Sequence, residues 1–202
     1  MSDRLTERLN GILPKITSEA FLRGHGIGNE LAFHIFDYPP EHELTIRSHV
    51  KFLIAQFPKH KPDLRFIHVN LFDFVIDHLR ERNLLEKAIQ IQKEKGDEAL
   101  HKALKGPLRE EKIADRFAQI VEPEGRDLVL VSGVGSVYPM LRTHTLLNNL
   151  HSRMGQTPLV LFYPGRYDRM TLRLFGKSSL GDIADDGRKK TVPYYRAFRL
   201  VD

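Results

Sequence analysis

The chain has 202 residues and a mass of 23.3 kDa, is 41% hydrophobic and 28% charged, and contains no Cys. That size and composition fit one soluble domain spanning 1–202 with an ordinary core, and the lack of Cys excludes a disulfide framework, a zinc ribbon and a thiol nucleophile. The net charge of +5 is uneven: residues 126–202 hold 12 Lys/Arg against 6 Asp/Glu, and residues 1–125 hold 19 against 20. The basic excess therefore lies in the C-terminal part, where a nucleic-acid face, an acidic partner and a chance bias are all open readings. No apolar run is long enough to cross a membrane, and Met1–Leu9 lacks an apolar signal-peptide core, so a cytoplasmic protein is expected.

In chain order, residues 3–13 and 17–24 read as two N-terminal helices, the first with Leu5, Leu9, Ile12 and Leu13 at helical spacing and the second capped by Ser18. Gly24–Glu30 is a glycine loop. It precedes a strand rather than following one, so it reads as a connector and not as a phosphate cradle. Leu31–Tyr38 is the first strand, stopped by Pro39 and Pro40, and Glu41–Phe57 is a helix with Leu44, Val50, Phe52, Leu53, Ile54 and Phe57 on its apolar side. Leu64–Leu71 is a second strand and Phe72–Arg82 a helix, a β-α-β pattern. Residues 84–121 read as a helical insertion on the side of the sheet, split near Gly96 and at Gly106-Pro107, with a solvated charged face.

The organising stretch is 127–165: an apolar strand Leu128–Val131, a glycine loop, a helix, and a second apolar strand Leu159–Phe162 closed by Pro164-Gly165. Short apolar runs of this kind are buried parallel strands covered on both faces. Met170–Phe175 and Tyr194–Val201 alternate as half-buried strands, the last at an edge, and residues 176–192 form a mobile loop. The expected fold is a three-layer α/β/α domain around a mostly parallel sheet of about five to six strands.

The best-placed loop for chemistry is Ser132-Gly133-Val134-Gly135-Ser136, between a strand and a helix. A dinucleotide fingerprint needs a glycine where Tyr138 stands, and a triphosphate loop needs a Lys that is missing. The glycines serve either a tight turn, the favoured reading, or an anion at the helix start. Arg142, His144, Asn148 and His151 lie on or near the following helix. His144, Asn148 and His151 share a face, but no acidic residue completes a metal set, so no metal or cofactor is expected. Asp37, Asn70 and Asp73 stand at the carboxyl ends of the first two strands, where open α/β sheets bind ligands. With Ser136, Arg166 and Asp168 they rim one crevice or form structural ion pairs. Tyr195 and Arg196 belong to an aromatic–basic segment suited to a protein interface or to stacked bases.

These blocks carry a resemblance. Gly-Ile-Gly-Asn-Glu at 26–30, Phe-His-Ile-Phe-Asp-Tyr-Pro-Pro-Glu at 33–41, Val-Asn-Leu-Phe-Asp at 69–73, the run from Ser132 to Leu150, Pro-Leu-Val-Leu-Phe-Tyr-Pro-Gly-Arg-Tyr-Asp at 158–168, Leu-Phe-Gly at 174–176 and Tyr-Tyr-Arg-Ala-Phe-Arg-Leu at 194–200 together resemble the BrxB family of BREX bacteriophage-defence systems. The resemblance covers nearly the whole chain. It implies a small, non-catalytic accessory subunit that binds other components of its locus, the alkaline-phosphatase-like PglZ protein first among them, with an indirect DNA contact as an open possibility. The strand–helix order is also similar to a nucleotide-triphosphatase core without its phosphate loop. Two alternatives stand beside the subunit reading: a nucleic-acid-binding module using the basic C-terminal part, and a nucleotide- or metal-dependent enzyme at the strand-end crevice.

Overall fold

The computed structural model of the chain describes residues 3–23, 32–169, 171–176 and 197–202. A mostly parallel six-stranded sheet lies between two helical layers. The strand order is β2-β3-β4-β1-β6, with β5 pairing antiparallel to β4. Here β1 is Phe33–Tyr38, β2 Phe66–Asn70, β3 Leu128–Ser132, β4 Leu159–Tyr167, β5 Leu172–Leu174 and β6 Phe198–Arg199. The central strands are apolar because both faces are covered: every residue of β1 is buried, as are Leu128–Val131 and Leu159–Pro164. The edge strand β2 is only partly buried.

One layer holds α1 (Asp3–Ile16), α2 (Glu19–Leu22) and α3 (Glu43–His60), which bury Leu9, Ile12, Phe21, Val50, Leu53 and Phe57 against Phe36, Leu130 and Phe162. The other holds α4 (Leu71–Glu81), α5 (Leu85–Leu104), α6 (Glu110–Val121), α7 (Val134–Val137) and α8 (Thr143–Met154), packed on Ile35, Val129 and Leu161. Ser18 caps α2, as its position predicts, accepting from Phe21 N at 3.3 Å.

Several expectations are corrected. The helix α1 runs on through Pro14 to Ile16. Leu71 opens α4 instead of closing β2, because Asn70 turns the chain by accepting from Phe72 N at 3.0 Å. Within α3 the buried stripe is Ile46, Val50, Leu53 and Phe57, while Leu44 and Phe52 point outward. The 84–121 stretch breaks at Gly96, at φ 78°, and α6 buries Ile113, Ala114, Phe117 and Val121 in the main core. Nor does β4 stop at Pro164-Gly165. Pro164 ends the ladder to β1, and from Gly165 the strand pairs with β5. Strand β6 lies at a sheet edge beside β1; Tyr195 and Arg196, the Gly24–Glu30 loop, Leu31 and most of the 176–192 loop lie outside the described residues.

Candidate functional site

In a parallel sheet all strand carboxyl ends open onto one rim, and in the order β2-β3-β4-β1 that rim carries Asn70, Ser132, Tyr163 and Tyr38. Asn70 and Ser132 stand side by side in register. Two residues back, His68 Nε2 meets Ser132 Oγ at 2.8 Å. Burial pulls His68 below its ordinary pKa, and the Asp73 charge in the first turn of α4 pushes the other way. This sets an imidazole beside a hydroxyl on the rim, a contact that the sequence does not reveal although Ser132 opens its glycine loop.

The glycine loop follows directly. Gly133 sits at φ 77°, a left-handed turn that glycine adopts without strain, and a Cβ there would lie 2.2 Å from Asn70 Oδ1. The turn thus exists so that β3 can pass beneath the cap of α4. Gly135 serves a second close approach: a Cβ would meet the Phe175 ring and Pro164, each at 3.1 Å. Ser136 accepts from Arg47 Nη2 at 2.9 Å, Arg47 Nε donates to Glu43 Oε1 at 2.8 Å, and Tyr38 OH donates to Glu43 Oε2 at 2.6 Å. Burial and the Glu43 carboxylate hold the Tyr38 phenol well above its ordinary pKa, so it stays protonated. This chain of contacts ties the start of α3 to α7.

The rim therefore gathers Asn70, Asp73, Gly133, Gly135 and Ser136. It does not gather Asp37. That carboxylate is buried on the far side of β1, where Oδ1 accepts from Arg8 at 2.8 Å, Oδ2 accepts from Tyr167 N at 3.0 Å, and Arg199 stands 3.7 Å away. Asp168 closes the turn between β4 and β5, accepting from Thr171 N at 2.6 Å and from Thr171 Oγ1 at 2.7 Å. Arg166 is exposed on β4. Arg142 precedes α8 and is exposed, as is Asn148, while His144 is half-buried. His151 packs edge-on against Phe33 at 5.4 Å and is held below its ordinary pKa by burial. Among the described residues no three His, Asp or Glu side chains converge as metal ligands.

Beside the rim, at the open edge of β2, lies a cavity of about 240 Å³ lined by Ile67, His68, Asn70, Phe74, His78 and Arg116. Arg116 Nη2 donates to both Glu81 oxygens at 2.7 Å there.

A family model described as "BREX protein BrxB" matches residues 67–200, which contain most of β2, the glycine loop and β4. A "BREX protein BrxB" of Bacillus cereus (strain H3081.97) is 38% identical over 203 aligned positions covering 98% of each chain. Another of Escherichia coli O9:H4 (strain HS) is 41% identical over 197 positions, covering 98% of this chain and 92% of that protein. No solved structure matches, so the likeness to a nucleotide-triphosphatase core gains no support from that side.

Proposed function

The chain belongs to the BrxB family of BREX proteins, and from that premise we propose that it is a non-catalytic assembly subunit of a phage-defence system, docking onto its PglZ protein. The observation that carries this reading is the outer face of α3. Leu44 and Phe52 are 75% and 47% exposed although the same helix has a complete buried stripe of its own. They are eight residues apart on one helical face, about 12 Å along the axis. Large apolar side chains presented together in this way anchor protein interfaces. The rim points the same way. Its charged side chains Glu43 and Arg47 are engaged with each other and with Tyr38 and Ser136, an arrangement that braces a surface. No helix is long and apolar enough to cross a membrane among the described residues.

The test is affinity purification of the tagged protein from cells expressing the whole locus. PglZ is expected in the eluate of the wild type and is expected to be lost with Leu44→Ser/Phe52→Ser, at unchanged thermal stability. Recovery of the chain alone from such cells, or full retention of PglZ by the double variant, counts against the proposal. Tyr195 and Arg196 are proposed as a second contact, read in the same assay with Tyr195→Ala and Arg196→Ala.

A further inference from the structure

We propose that the outer face of the β4–β5 hairpin binds single-stranded nucleic acid, with Arg166 and Arg173 holding a phosphate and Phe175 and Tyr138 receiving the adjoining base. Register fixes the arrangement. Arg166 lies directly opposite Arg173, and Gly165 opposite Leu174, so the two guanidinium side chains leave the hairpin on the same face. Like charges placed directly opposite destabilise a strand pair. Arg166 has no ion-pair partner among the described residues, and Arg173 has only a 3.5 Å approach from Asp168. An anion between the two arginines relieves that repulsion, and a planar guanidinium pair suits a phosphate.

One pleat further along the same face stand Pro164 and Phe175, joined by the Phe175 N to Pro164 O hydrogen bond at 3.0 Å. Phe175 takes a φ of 53°, unusual for a bulky residue, and its ring rests where Gly135 has no side chain. Tyr138 meets it edge-on at 6.1 Å. Both rings stay open to solvent, Tyr138 at 51% and Phe175 at 40%. Two residues of strand span about 7 Å, so a nucleotide whose phosphate sits on the arginines can reach these rings with its base. Arginines alone would serve an acidic protein segment equally well. The paired, exposed aromatics beside them favour bases, which stack regardless of sequence. The basic balance of residues 126–202 adds long-range attraction.

The test uses the full chain and a fluorescently labelled oligothymidylate, followed by anisotropy from low to physiological salt. Binding should weaken with salt at a log–log slope of about −0.7, for the one phosphate held on a single strand. Arg166→Ser/Arg173→Ser should weaken binding about tenfold at low salt and flatten the slope. Tyr138→Ala/Phe175→Ala should weaken it about tenfold and keep the slope, since stacking carries no counterions. All four side chains reach solvent, so both variants should unfold as cooperatively as the wild type. No binding by the wild type at low salt overturns the proposal. So does either double variant, folded, binding as tightly as the wild type. Displacement of the oligonucleotide by polyglutamate at equal charge concentration also overturns it and assigns the face to an acidic protein segment. Leu44→Ser/Phe52→Ser should bind the oligonucleotide normally, which keeps this test separate from that of PglZ docking.

Discussion

His34 sits on β1 with its ring sandwiched between Phe21 of α2, at 4.5 Å, and Phe198 of β6, at 5.7 Å. It is 6% exposed, and neither ring nitrogen has a hydrogen-bond partner among the described residues. Burial, aided by the nearby Lys15 charge, pulls its pKa from 6.5 down to about 4. The unfolded chain therefore binds a proton at this site through a window in which the folded chain does not. Stability from neutral His34 is complete above 6.5 and is lost as the pH falls from 6.5 toward 4. The full loss is about 3 kcal/mol, and about 2 kcal/mol is already gone near pH 5.

The perturbation is His34→Leu, which keeps an apolar side chain between the two rings and removes the titrating group. Urea unfolding at several pH values gives the stability of each protein, and the difference between them isolates His34 from His49, His68, His78 and His151, which burial also pulls down. Near pH 7.5 the variant should be equal to or more stable than the wild type by about 1 kcal/mol, since two buried unpaired nitrogens have gone. Near pH 5 the gap should widen by about 2 kcal/mol in the variant's favour. A gap that stays constant across this window would falsify the assignment. A variant much less stable at pH 7.5 would show that the imidazole makes a bond that the burial argument omits.

Gly133→Ala should cost at least about 2 kcal/mol in urea unfolding, combining a left-handed alanine with the loss of the Asn70 cap. Asn70→Ala should cost about 1 kcal/mol alone, and the double variant less than the sum of the singles because both act on one contact. Asp37→Asn should cost about 3 kcal/mol, since it leaves the charge of Arg8, buried nearly as deeply as its partner, uncompensated. Asp127→Asn, which breaks the exposed pair with Arg65 between the starts of β2 and β3, should shift the urea midpoint far less than Asp37→Asn does.

The central strands are legible in the sequence because a strand covered on both faces must be apolar throughout, and Leu128–Val131 and Leu159–Phe162 are short apolar runs closed by Gly or Pro. Strand order is not legible. Chain order suggests that β1 and β2 are neighbours, which would bring Asp37 and Asn70 together, but β3 and β4 intervene. The same gap hides the contact of His68 with Ser132, 64 residues apart in sequence and joined only because β2 pairs with β3. In α3 the difficulty is degeneracy. Ile46, Val50, Leu53 and Phe57 form one apolar stripe, Leu44 and Phe52 stand on another side, and periodicity alone cannot rank them. The sheet face settles which is core, and the side left over becomes a candidate for contact with another protein.

The extension of β4 beyond Pro164 changes the shape of the rim most. A strand ending at Phe162 would leave the rim as a shallow ledge. Continued to Tyr167 and folded back as β5, it raises a two-stranded flap bearing Arg166, Arg173 and Phe175 next to Gly135. Two strands alone are marginal in water, so the flap needs an anchor. Asp37 supplies it from inside the sheet: its carboxylate accepts the Tyr167 N–H, while the Tyr167 hydroxyl donates to Ala197 O at 2.6 Å and Arg199 donates to Tyr167 O. Asp37, at the end of a strand, looks like a ligand-binding carboxylate by position. Its partners make it the residue that fixes the flap to β1 and β6. Any binding on the outer face of the hairpin therefore depends on the buried Arg8–Asp37 ion pair.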